Sequence, residues 1–176
     1  MTTDDDALLE RARANDTQAL GALYDAYADR IYGYLYRRVS SAQVAEDLTG
    51  DVFVKVLEAL DTGRPWHTSF RAWLYRIAHN VVVDWYRAQG DVEREPLDVH
   101  EAQLSEGESN TPDVWAHRDL HQALLALTEQ QQQVLVLRYG EGLKVREIAE
   151  IIGKSVGAVE ALQHRALVAL RDRLES

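Results

Sequence analysis

The fold of the C-terminal part of the chain is decided by the stretch LKVREIAEIIGKSVGAVEALQHR, residues 143–165. Its apolar spacing predicts a short helix over 145–152, a turn at Gly153 and a second helix capped by Ser155. Glycine suits the turn because a tight turn favours left-handed backbone, and Ala149 is small where two helices would cross. This pattern is typical of a helix-turn-helix, whose second helix enters the major groove of DNA.

The exposed positions of this stretch are the candidates for contact with duplex DNA. Glutamine and arginine can hydrogen-bond base edges, and arginine, histidine and serine can hold phosphates. The candidate residues are Lys144, Lys154, Ser155, Ala158, Ala161, Gln163, His164 and Arg165. A helical hairpin without a role in DNA binding is the alternative.

The rest of the chain also has helical periodicity, with apolar residues at steps of three and four. Three long segments, starting near Leu20, Val44 and Phe70, each predict one apolar face. We therefore predict an all-α protein with two small helical domains. The first, residues 1–90, is a bundle of three to four helices, and the second, residues 116–176, contains the helix-turn-helix.

Residues 91–115 show no sustained apolar period. They hold eight acidic residues against one basic residue, Arg94, together with Pro96, Gly107 and Pro112. Because like charges repel and little apolar surface can be buried, the sequence predicts a flexible acidic linker.

Composition narrows the class of protein further. The 176 residues carry a net charge of −10 and contain no cysteine, which excludes disulfides, thiol catalysis and cysteine-based zinc sites. The acidic N-terminus lacks the basic start and apolar core of a secretion signal, so we expect a cytoplasmic protein. The negative charge argues against a DNA-binding protein that acts alone, because phosphate binding favours a basic face.

Two stretches carry a resemblance to a known family. Residues 45–53 (AEDLTGDVF) and 70–87 (FRAWLYRIAHNVVVDWYR) closely resemble region 2 of extracytoplasmic-function (ECF) sigma factors, group IV of the sigma-70 family. Residues 127–166, beginning LTEQQQQVL, resemble region 4 of the same family. The order and spacing of the two regions fit as well.

The resemblance implies a transcription initiation factor that binds bacterial RNA polymerase core and directs it to promoters. Region 2 would dock on the clamp helices of the largest subunit, and region 4 would contact the flap. The residues implied in core binding are Glu46, Asp47, Asp51 and Lys55. An acidic helix face complements a basic coiled coil, although most charged faces are simply solvated.

The resemblance also implies that the third helix and the loop before it recognise the −10 element. Aromatic and basic side chains can capture unstacked bases and phosphates. The implied residues are Arg64, Trp66, His67, Arg71, Arg76, His79, Asn80, Asp84 and Arg87. The residues 143–165 would recognise the −35 element, and control by a separate anti-sigma factor is expected.

Two other classes of protein stay open at this point. A stand-alone helix-turn-helix regulator would bind a duplex site by itself, usually as a dimer. A helical metal enzyme could use His117 and His121, which lie four residues apart, but two histidines without a third ligand favour a surface pair. No nucleophile set, phosphate loop or carboxylate pair can be argued, so we predict no catalytic residues, metal, cofactor or small-molecule substrate.

Overall fold

A computed structural model describes residues 3–63, 69–90 and 112–176, with side chains for residues 6–63, 69–90 and 119–176. Every regular element within these ranges is helical, which confirms the prediction of an all-α fold. The chain divides into two compact units, residues 1–93 and 94–176. No helix in the described ranges is long and apolar enough to cross a membrane.

The first unit contains four helices in its described part. They are α1 (Thr3–Arg13), α2 (Thr17–Val39), α3 (Ala42–Asp61) and α4 (Phe70–Ala88). The side chains of Asp16, Ser41 and Ser69 accept backbone N–H groups at the starts of α2, α3 and α4, which satisfies donors that have no partner inside the helix. The helix α1 was not among the three predicted segments.

The core of the first unit lies where α2, α3 and α4 meet. Ile31, Leu35, Val52, Leu74 and Tyr75 are fully buried there. Each large apolar side chain removed from water stabilises the fold by about 1.5–3 kcal/mol. The helix α1 packs on α2 and contributes Leu9 and Ala12 to the buried set.

The second unit contains α5 (Pro112–Leu125), α6 (Glu129–Leu135), α7 (Val145–Ile152) and α8 (Val156–Leu174) in its described part. The helix α5 begins at Pro112, within the predicted linker, and residues 91–111 of that linker lie outside the described residues. Thr128 and Gln131 form a capping box at the start of α6, with 3.2 Å for each of the two reciprocal bonds.

A π-helical turn, Val136–Gly140, continues α6. This turn is wider than an α-helical turn. The N–H of Glu141 donates to the carbonyl of Val136, five residues before it, at 3.0 Å. The side chain of Arg138 donates to the carbonyl of Leu143 at 2.9 Å and so joins this turn to the segment before α7.

The helix-turn-helix is formed by α7 and α8, as the sequence predicts. Gly153 takes a left-handed conformation with φ of +70°, and the N–H of Lys154 donates to the carbonyl of Ala149 at 3.1 Å. The Ser155 hydroxyl then accepts the N–H of Ala158 at 3.1 Å, which starts α8. Ile148 and Val159 are fully buried between the helices.

Two glycines in this motif should respond to alanine with opposite sign. A Cβ at Gly153 or at Gly157 meets no atom within 4 Å, but only Gly153 has positive φ. We expect Gly153→Ala to lower the free energy of unfolding by about 1–2 kcal/mol because of left-handed strain. Gly157→Ala should raise it by about 0.4–1 kcal/mol because the unfolded chain loses freedom. Urea denaturation followed by circular dichroism measures both, and equal effects would contradict the turn geometry.

Candidate nucleic-acid interface

One face of α4 gathers four of the predicted −10 residues. Arg76, Asn80, Asp84 and Arg87 are all exposed, and their helical positions fall within about 80° of one another. The Nη1 atom of Arg87 lies 3.7 Å from the Oδ1 atom of Asp84, an exposed ion pair. This face, called here the α4 outer face, presents two cations, one carboxamide and one carboxylate to solvent.

The structure places two other predicted residues away from the α4 outer face. Arg71 lies near the start of α4, about 180° around the helix from Asn80, and is half-buried. His79 is also half-buried, and its Nδ1 atom lies 3.2 Å from the Nη1 atom of Arg38 on α2. Three further predicted residues, Arg64, Trp66 and His67, lie outside the described residues.

The pKa of His79 is lowered from 6.5 to about 4, first because burial disfavours the imidazolium and then because Arg38 is positively charged. The ring is therefore neutral at physiological pH. A neutral ring cannot supply the cationic phosphate contact that a positively charged histidine would make.

The aromatic residues of α4 are divided between the core and its rim. Trp73 and Trp85 are half-buried. The ring of Trp73 is tilted against Phe70 with the centroids 5.8 Å apart, and the ring of Trp85 packs edge-on against Tyr86 with the centroids 5.0 Å apart. Tyr75 is fully buried. Tyr75 and Trp85 fall about 140° around the helix from Asn80, away from the α4 outer face. Trp73 falls within about 20° of Asn80, two turns before it, so this half-buried ring lies on the same side of α4 as the outer face.

The exposed face of α3 carries the residues predicted for core binding. Asp47 and Asp51 are exposed and one turn apart, and Lys55 continues the same row one turn later. Glu58 falls within about 40° of the two aspartates and extends the acidic row. Glu46 is exposed too but lies about 140° around the helix from Asp51, so it belongs to the other flank of this face.

Apolar side chains interrupt the acids on α3. Val54 is 53% exposed and Leu57 is 46% exposed, and the half-buried Phe53 packs edge-on against Tyr24 of α2, with ring centroids 4.8 Å apart. Isolated apolar residues at a surface are ordinary, but these lie together on one helix face beside a row of carboxylates. The sequence does not indicate that Val54 and Leu57 are exposed, because apolar periodicity does not show which apolar residues stay uncovered.

The residues predicted for the −35 element surround the start and the middle of α8. Lys144, Lys154, Ser155, His164 and Arg165 are exposed, whereas Ala158 and Ala161 are half-buried. On α8, the residues Ala158, Ala161 and Arg165 fall within about 60° of one another.

Gln163 lies on the other flank of α8, about 160° from Arg165. Its side-chain amide donates to the hydroxyl of Tyr139 at 2.9 Å. Tyr139 is 60% exposed at the end of the π-helical turn and was not a predicted site residue. The pairing joins α8 to the π-helical turn, a long-range contact that the local pattern around Gln163 does not indicate.

A metal site has no support in the described part of the chain, where no group of three or more histidine, cysteine, aspartate or glutamate residues could hold an ion. His121 is half-buried on α5, and the side chain of His117 lies outside the described residues.

Comparison with known proteins gives two family matches in the same order as the two units. Residues 23–92 match Sigma-70 region 2, and residues 117–170 match Sigma-70, region 4. The chain is 37% identical to the ECF RNA polymerase sigma factor BldN of Streptomyces coelicolor over 164 residues, 91% of this chain and 62% of BldN. It is 37% identical to the RNA polymerase sigma factor YlaC of Bacillus subtilis over 157 residues, 86% of this chain and 90% of YlaC.

A solved structure with a similar fold is the sigma factor RpoE in complex with the anti-sigma factor NepR from Bartonella quintana. The TM-score is 0.63 at 22% sequence identity, and the match covers 88% of this chain and 96% of RpoE. At this identity the likeness concerns the fold alone.

The lowered pKa of His79 predicts acid sensitivity of the first unit. Between pH 6.5 and about 4 the unfolded chain binds a proton at this ring that the folded chain does not bind. The free energy of unfolding should therefore decrease as the pH falls through this range. His79→Gln removes the titrating group and should make the decrease shallower, measured by urea denaturation with tryptophan fluorescence at several pH values. His164→Gln, at an exposed position in the second unit, is the control, and a slope unchanged by His79→Gln would contradict the assignment.

Proposed function

The chain belongs to the ECF sigma factors of the sigma-70 family, and on that premise we propose that it binds the core of bacterial RNA polymerase and directs it to promoters. The observation that carries the proposal is the occurrence of both family regions, in order, on one chain. The family consists of transcription initiation factors and not of enzymes. In this proposal residues 1–90 bind core and the −10 element, residues 91–115 link the two parts, and residues 116–176 bind the −35 element.

The α4 outer face is proposed to hold the non-template strand of the melted −10 element. Its two arginines can contact phosphates, and the carboxamide of Asn80 can hydrogen-bond a base edge. The ion pair between Arg87 and Asp84 is exposed, so it is weak and exchanges readily for a phosphate contact. Trp66 is proposed, on sequence alone, to stack on an unpaired base.

The exposed face of α3 is proposed to dock on the clamp helices of the largest polymerase subunit. Asp47 and Asp51 complement basic side chains of a coiled coil and increase the rate of encounter. Val54 and Leu57 supply apolar area that becomes buried on docking, and the core of an interface is depleted of charged residues. A face with acidic and apolar residues therefore fits a partner surface that has basic side chains, lysine or arginine, next to aliphatic side chains.

The helix-turn-helix is proposed to bind the −35 element as duplex DNA. Lys144 and Lys154 would contact phosphates, while Ala158 and Ala161 allow close approach and Arg165 reaches the groove. Gln163 would read a base only by exchanging its bond with the Tyr139 hydroxyl for a base contact.

The net charge of −10 is compatible with this role because the polymerase core supplies most of the grip on DNA. RpoE of Bartonella quintana was solved with an anti-sigma factor, and we propose control of the present protein by an anti-sigma factor in the cytoplasm. Residues 91–115 would pass through a basic channel of the polymerase.

Run-off transcription tests the proposed function directly. Purified protein is added to bacterial core polymerase together with sheared genomic DNA, and transcripts of defined start are mapped. Specific initiation that requires both components is expected. Binding to a duplex site without core, with no initiation in its presence, would indicate a stand-alone regulator instead.

The docking face predicts a loss of core binding on charge reversal. Asp47→Lys combined with Asp51→Lys should weaken association with core by about tenfold or more, since like charges across an interface cost several kcal/mol. Fluorescence anisotropy of labelled protein titrated with core gives the affinity, and circular dichroism checks the helix content. Asp25→Lys combined with Asp29→Lys makes the same change of charge on exposed positions of α2 and should have little effect. Equal losses in both double variants would contradict the assigned face.

The helix-turn-helix predicts different responses from Gln163 and Lys154. If Gln163 reads a base, Gln163→Ala should change the preference among −35 sequences by about 1–3 kcal/mol, whereas Tyr139→Phe should preserve the preference. Lys154→Ala should weaken all sequences alike and lower the salt dependence. The measurement is competition among promoter variants for the holoenzyme. If Gln163→Ala leaves the preference among −35 sequences unchanged, Gln163 does not read a base, and its role is limited to the bond with Tyr139.

A further inference from the structure

Arg38, near the end of α2, contacts α4 at two levels. Its Nη1 atom lies 3.2 Å from Nδ1 of His79 and 3.3 Å from the hydroxyl of Tyr34. Its backbone carbonyl accepts a hydrogen bond from the hydroxyl of Tyr86. His79 and Tyr86 are seven residues, or about two turns, apart on α4. One residue of α2 therefore holds α4 at two points about two turns apart.

The chemistry of this contact dictates the state of the His79 ring. A guanidinium group has five donors and no acceptor, so Nδ1 of His79 must accept the bond and carry no proton. The remaining proton is on Nε2, and the ring is neutral. A doubly protonated ring would place two cations within hydrogen-bond distance and abolish the bond.

The contact lies beside the α4 outer face. His79 falls about 60° around the helix from Arg76 and about 100° from Asn80. Its bond to Arg38 shows that this flank of α4 faces α2. A rotation of α4 that lost the bond to Arg38 would also turn Asn80 and Arg76 away from their present direction. Apolar packing buries the inner side of α4, and this directional hydrogen bond adds a second constraint on the rotation of the helix.

We propose that Arg38 and His79 form a positioning pair, in which α2 fixes the rotation of α4 and so aims Asn80 and Arg76 at the promoter strand. The proposal rests on the proposed function. It replaces the expectation that His79 contacts DNA directly, because the ring nitrogen nearest to α2 is already engaged and the ring carries no charge.

Substitutions at position 79 separate positioning from direct contact. His79→Gln keeps an acceptor for Arg38 and cannot be protonated, so open-complex formation should stay within about threefold of the wild-type level. His79→Lys puts a cation against Arg38 and should reduce open-complex formation by about tenfold or more. A direct phosphate contact predicts the reverse order, because lysine would preserve or strengthen it. Gln89→Lys adds the same charge at an exposed position, the residue directly after α4, and controls for charge alone.

The assay uses holoenzyme on a promoter fragment identified by run-off transcription, with permanganate reactivity of unpaired thymines as the readout. Core affinity of each variant is measured in parallel, so that a loss of folded protein is recognised. The order His79→Gln above His79→Lys, at equal core binding, supports the positioning pair. The opposite order overturns it.

Nuclear magnetic resonance of the full chain with ¹⁵N-labelled histidine gives a second readout that does not depend on transcription. The wild-type protein should show an unprotonated Nδ1 and a proton on Nε2 at position 79. Arg38→Gln should raise the pKa of His79, since the neighbouring positive charge is gone. A ring with the proton on Nδ1, or a pKa that Arg38→Gln leaves unchanged, overturns the pair even if His79→Lys fails to fold. Failure of wild-type protein to initiate at any promoter would refute the proposed function and leave this result intact.

Discussion

The burial of one face of α4 against α2 and α3 is the constraint on which the first unit depends. Leu74, Tyr75 and Val82 are fully buried, and they leave only the opposite side of α4 for contact with a partner. The same packing buries the inner side of α3, which includes Val52, and so leaves the acidic face of α3 exposed. Because helix faces are set by the 3.6-residue period, core packing decides at once which residues point outward.

In the second unit the corresponding constraint is the turn between α7 and α8. The left-handed Gly153 and the Ser155 cap set the direction in which α8 leaves the turn, and Ile148 and Val159 fix the crossing of the two helices. The π-helical turn adds a second support for α8, through the bond between Tyr139 and Gln163. The exposed side of α8 is therefore held from its buried side and from one flank.

The negative charge of the chain is unevenly distributed, and this reconciles it with DNA binding. Acids dominate the exposed face of α3, whereas the α4 outer face carries Arg76 and Arg87 against Asp84. Neighbouring helices of one small unit can thus contact two partners of opposite charge. Both faces belong to a sigma factor that is proposed to act within a larger complex, in which the polymerase supplies the remaining positive surface.

The sequence by itself determined the helical class, the helix-turn-helix and the start of α8 at Ser155, because periodicity, capping residues and glycine act over a few residues. It also determined the membership in the sigma family, because the two regions occur in order. Only the tertiary structure decided that Val54 and Leu57 stay exposed and that Gln163 is engaged by Tyr139. It alone decided that His79 accepts a bond from Arg38, 41 residues away in the chain. These contacts join separate elements, so they depend on how the helices pack, which no local pattern of residues encodes.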